Sequence, residues 1–179
     1  MKLSFQNIFE LEEAGEFKKV FEIYSDLYSK YKSEYEIWKH FYFFLWLAIE
    51  DAPREFNEKI NLRELMQKMF EEGKRNFSDL ANFNFITGYT VSIFPYEYGD
   101  YDDLEIEAKK MLKKATEIDT ENLIYKLVFL GSLQKVDKEE YKKTEIDAAP
   151  TVLEVFKGKG MLNKYFRQVL YRIDKKTSS

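Results

Sequence analysis

The stretch Tyr35–Ile49 reads YEIWKHFYFFLWLAI, and from Phe41 to Ile49 every residue is apolar or aromatic. A helix that is hydrophobic all round must be enclosed by protein or by lipid. This run is far shorter than the ~18 to 20 residues that cross a bilayer, so protein is the expected surround. The stretch is therefore read as the central helix of an all-α fold.

Working outward, the flanking segments supply helices to cover it. Phe17, Val20, Phe21, Tyr24, Leu27, Tyr28 and Tyr31 recur at i, i+3, i+4 and i+7, with Lys18, Lys19, Glu22 and Asp26 on the other face. Before them, Leu3, Phe5, Ile8, Phe9 and Leu11 mark a helix that Gly15 ends. After the aromatic helix, Pro53 is a stop signal, Arg54–Ile60 reads as a polar loop, and Asn61 as the N-cap of a helix fading near Gly73. Ser78 is the expected cap of a helix ending at Pro95. Leu104, Ala108, Met111, Leu112, Ala115 and Ile118 form the next clean stripe. Thr120 is the expected cap of a helix through Leu130. A short helix over 138–144, another with Pro150 in its first turn, and a last one carrying Leu162, Tyr165, Phe166, Val169, Leu170 and Ile173 complete the chain. The expectation is about eight or nine helices, stacked as antiparallel hairpins around the aromatic helix, with no strand.

Composition agrees. At 179 residues the chain is long enough for one domain with a substantial core, and 1–179 is read as a single all-helical domain with a frayed tail at 174–179. Three prolines and seven glycines, scattered, argue against disorder and against a turn-rich β fold. Without cysteine, disulfides, thiolate metal sites and cysteine nucleophiles are excluded. The N-terminus meets acids too early for a secretory signal, and a cytoplasmic location is expected. Charge is uneven: residues 1–107 carry 12 Lys/Arg against 22 Asp/Glu (−10), residues 108–179 carry 16 against 10 (+6).

The search for chemistry is mostly negative. His40 is the sole histidine, so neither a histidine-rich metal site nor a Ser–His–Asp arrangement is indicated. The paired acids Glu12-Glu13, Glu71-Glu72 and Asp102-Asp103 are helix neighbours pointing ~100° apart, which does not converge them on a substrate. Gly158-Lys-Gly160 lacks the spacing of a phosphate loop. The run starting Asp100-Tyr-Asp102-Asp103 lacks the glycine and glutamate of a calcium loop. No catalytic residue, cofactor or metal is expected. The basic face Lys109, Lys110, Lys113, Lys114 fits phosphates in principle, but solvated lysine faces are common on amphipathic helices.

One stretch stands apart. Residues 95–107, PYEYGDYDDLEIE, hold six acids and three tyrosines with no Lys or Arg. Tyr96, Glu97, Tyr98, Asp100, Tyr101, Asp102, Asp103 and Glu105 are the candidate partner-binding residues. Loop tyrosines give rigid contact area, and carboxylates steer a basic partner. The competing reading is that Asp102, Asp103 and Glu105 sit where a helix begins and favour its dipole.

Residues 108–131, AKKMLKKATEIDTENLIYKLVFLG, resemble the second helix and turn of a tetratricopeptide repeat, with Ala108 and Ala115 seven apart and Thr120 in place of the family's proline. Residues 11–28, LEEAGEFKKVFEIYSDLY, echo that hairpin with bulky residues at the small positions. Residues 158–172, GKGMLNKYFRQVLYR, resemble the closing helix of small helical immunity proteins encoded beside toxins of contact-dependent growth inhibition. These resemblances imply a non-enzymatic protein binder. The expected partner is a basic toxin domain, plausibly a nuclease, occluded by the acidic aromatic surface. The alternative is an adaptor holding a peptide or protein in a groove between hairpins.

Overall fold

A computed structural model describes residues 5–172 and is all-helical, with no strand among those residues. Leu3, Ile173 and the tail at 174–179, read above as helix or frayed end, lie outside the described residues. Among the described residues there are ten α-helices: α1 Gln6–Glu13, α2 Phe17–Lys30, α3 Tyr35–Asp51, α4 Arg54–Ile60, α5 Leu62–Phe77, α6 Ala81–Ile93, α7 Tyr101–Ile118, α8 Leu123–Gly131, α9 Lys138–Val155 and α10 Met161–Leu170. A 3-10 turn, Pro95–Glu97, sits between α6 and α7. The described residues divide into two compact units, one of 5–76 with 158–165, the other of 77–157 with 166–172.

The first unit is built on α3. Ten of its side chains are buried, among them Trp38, Phe41, Phe43, Phe44 and Trp46, so the aromatic helix is enclosed as its composition requires. Helix α2 lays its stripe on it: the rings of Tyr24 and Phe41 stack at 5.6 Å and Phe21 meets Phe41 edge-on at 5.8 Å. Trp38 Nε1 donates to the Met69 carbonyl of α5 at 2.9 Å, which satisfies a buried indole that would otherwise be costly. Tyr165 meets Phe43 and Trp46 edge-on.

The second unit has its own enclosed helix. Along α6, every residue from Phe83 to Val91 is buried. The 104–118 stripe of α7 packs against α6. Gly88 makes the approach possible: a β-carbon at that position would meet Leu112 Cγ at 2.9 Å, the Leu112 nitrogen at 3.0 Å and the Ala108 oxygen at 3.1 Å. Buried polar groups in α6 are spent locally, Thr87 Oγ1 donating to the Phe83 carbonyl and Asn84 Nδ2 to the carbonyls of Ser78 and Leu80. Phe166 packs against Phe85, Tyr89 and Phe156 at 5.1 Å each.

Several boundaries differ from the sequence reading, each for a local reason. Arg54–Ile60 is a helix, because Pro53 stands immediately before its first residue, where a missing N–H is harmless. Asn61, at φ 55°, closes α4 in the left-handed conformation, and α5 then runs past Gly73 to Phe77. Caps fall on Asn122 and Asp137: Asn122 accepts from the amides of Ile124 and Tyr125, and Asp137 from those of Glu139 and Glu140. No side chain caps α6, whose N-cap is Leu80, so Ser78 and Thr120 are not caps. Helix α9 is continuous through Pro150, whose ring faces solvent while Ala148, Ala149 and Val152 hold the helix down.

Candidate functional site

The tyrosine-rich, acidic stretch is less irregular than its composition indicates. Asp100 is the N-cap of α7, its Oδ1 accepting from the Asp102 amide at 3.1 Å, and Tyr101, Asp102 and Asp103 form the first helical turn. Acids there offset the positive end of the helix dipole, so the structural role weighed above is real. It does not use up their charge: Asp100, Asp102 and Asp103 are exposed and enter no ion pair among the described residues. Glu105 differs, being half-buried and bound to Lys109 Nζ at 2.9 Å.

The tyrosines separate by burial. Tyr96 and Tyr101 are 56% and 55% exposed, whereas Tyr98 is half-buried. Glu97 is turned inward at 3% exposure by the 3-10 turn, and as a surface contact for a partner that expectation is corrected. Two residues that the sequence reading passed over join the exposed set: Ile93 at the end of α6, 42% exposed, and Ile106 on α7, 55% exposed. Ile106 lies out of phase with the stripe Leu104, Ala108, Met111, Leu112, and an apolar residue on the polar face was a signal available in the sequence.

Tyr101 and Glu105 also line an open cavity of about 350 Å³ within the second unit, bordered by residues of α6, α7, α8 and α9 with Val169, Leu170 and Arg172. Its floor is apolar, with Leu112 and Leu127 buried, and Tyr89 and Tyr141 add two more phenol rings to the wall. The other charged lining groups are Lys109, Glu145 and Arg172. Tyr141 and Glu145 come from α9, about forty residues beyond Tyr101, and nothing in the local sequence announces that they meet it.

Elsewhere the candidates resolve into structure. His40 is buried, its ring 4.9 Å from Phe5 and 5.0 Å from Phe9. Burial, and secondly the charge of Lys39, hold its pKa down at about 3, so it is a neutral packing residue. Of the basic face, Lys109, Lys113 and Lys114 pair with Glu105, Glu117 and Asp79. Glu12 is buried and accepts from Tyr24 Oη and from the Met161 amide, both at 2.7 Å. Among the described residues no group of three or more His, Asp or Glu is arranged to hold a metal ion. No helix of the described residues is long and apolar enough to cross a membrane.

No family model matches this chain, and no curated protein or solved structure resembles it closely enough to count as a match.

Proposed function

We propose that this chain acts by binding a protein and not by catalysis, and that it neutralises a basic toxin domain by covering it with the surface around the head of α7. One observation carries the reading. Two tyrosines, Tyr96 and Tyr101, are more than half exposed beside three carboxylates, Asp100, Asp102 and Asp103, that have no ion-pair partner among the described residues. Large aromatic side chains left in water are costly unless something covers them, and they supply most of the energy at interface hot spots. Unpaired carboxylates beside them attract a basic partner and speed its encounter. A nuclease is basic where it grips phosphates, which makes its active site a natural target for such a surface.

The test is direct. The purified protein is titrated calorimetrically with the product of a toxin gene adjacent to its own. Saturable binding that protects a nuclease substrate supports the reading; absence of binding at micromolar concentrations rejects it.

The cavity favours a second reading, that of an adaptor holding an extended peptide between hairpins. A folded basic domain as the sole binder supports neutralisation, whereas binding of short unfolded segments alone supports the adaptor.

A further inference from the structure

Building on the protein-binding reading, we infer that the cavity of the second unit is an anchor pocket that receives one large apolar side chain of a basic partner segment. At about 350 Å³ the cavity is at the small end of the ~300 to 1,000 Å³ range of ligand sites, suited to one side chain more than to a helix or a cofactor. Its burial is graded as an entry site requires. Leu112 and Leu127 form a floor that is 1% and 3% exposed, while Ile93 and Tyr101 line the same space and remain largely open to solvent. An incoming group thus meets Ile93 and Tyr101 at the mouth and Leu112 and Leu127 at the floor, between walls that also carry polar groups.

The sign of the partner's charge comes from outside the cavity. The walls carry Glu105 and Glu145 against Lys109 and Arg172, and the Glu105–Lys109 pair is closed at 2.9 Å, so the interior selects neither sign. Asp102 and Asp103 sit on the same helical turn as Tyr101, exposed and in no ion pair among the described residues. A side chain entering past Tyr101 brings its chain neighbours against that turn. Basic residues flanking an apolar anchor are the chemistry that fits, an arrangement in which the anchor gives affinity and the charges give encounter rate.

The experiment uses the full chain, isotope-labelled, titrated by NMR with the capped pentapeptide Lys-Lys-Trp-Lys-Lys. Versions with Ala for Trp, or with Glu for Lys, are the comparisons. Saturable binding is expected, with amide shifts concentrated over Tyr101–Lys109 and at Gly131 and Ser132, and with both comparison peptides at least tenfold weaker. Ser132, half-buried on the cavity wall, provides the mutational arm. Ser132→Phe fills the space and is expected to weaken the peptide at least tenfold. Equal affinity for the Trp and Ala peptides, shifts located elsewhere, or no saturable binding overturns the inference even where Ser132→Phe does not fold. The two proposals fail separately: toxin bound equally by wild type and folded Ser132→Phe removes the pocket and keeps the neutraliser. Peptide seated in the cavity without any toxin binding does the reverse.

Discussion

Gly88 of α6 and Leu112 of α7 meet backbone to backbone: a β-carbon on Gly88 would stand 3.0 Å from the Leu112 nitrogen. Replacing Gly88 by Ala would normally gain about 1 kcal/mol in a helix, since alanine gives up less chain entropy. Here the methyl group collides with the Leu112 backbone and side chain and with the Ala108 carbonyl, and overpacking typically costs about 1–3 kcal/mol. Gly88→Ala is therefore expected to destabilise the protein in urea denaturation. A midpoint at or above wild type would show that α6 and α7 separate without penalty.

Phe44 tests the first unit. It is 1% exposed and contacts Phe17 and Tyr24 of α2 at 6.2 and 5.8 Å between ring centres. Truncation of a buried Phe to Ala costs about 3–5 kcal/mol through lost transfer energy and the cavity left behind. Phe44→Ala should lose that amount in chemical denaturation; a loss below ~1 kcal/mol would mean that α3 is not enclosed.

Glu12 gives the protein a pH dependence of unusual sign for a carboxylate. Burial raises its pKa to about 7, outweighing the hydrogen bonds from the Met161 amide and Tyr24, which favour the anion; Glu13 adds a smaller upward push. Above the ordinary glutamate pKa of 4.5 the unfolded chain has released this proton while the native protein retains it. Its contribution to stability is thus full below pH ~4.5, declines by about 1.4 kcal/mol per pH unit, and is lost above pH ~7. Glu12→Gln removes the titration. The stability difference between variant and wild type should move in favour of Gln by about 3 kcal/mol between pH 4.5 and 8. A difference that stays constant across that range would place the Glu12 pKa near its ordinary value.

At the head of α7, stability and binding should separate residue by residue. Asp100→Ala removes the cap and is expected to cost about 1 kcal/mol of stability. Asp102→Asn and Asp103→Asn should each cost about 0.3–1 kcal/mol through the helix dipole and slow association with a basic partner, most visibly at low salt. Tyr101→Ala, at an exposed position, should leave the denaturation midpoint unchanged while weakening the partner by more than ~1 kcal/mol. Stopped-flow association and urea melts measured side by side check all four; unchanged affinity in Tyr101→Ala would exclude it as a contact.

Much of this molecule was legible in its residue order because helical burial is a local, periodic property. The 17–31 and 104–118 stripes mark which face turns inward, and nine consecutive apolar residues from Phe41 to Ile49 leave α3 no solvent face. Which helix covers which stripe is not periodic information. The 104–118 stripe packs on α6, where Gly88 leaves the space that a β-carbon would take from Leu112 and Ala108. At the candidate site, sequence alone marked out the cluster of tyrosines and acids. Tertiary structure decided that Glu97 turns inward, that Asp100 caps α7, and that Tyr101 and Glu105 share a cavity with Tyr141 and Glu145. Those last partners are distant along the chain, and only the packing of α7, α8 and α9 brings them together.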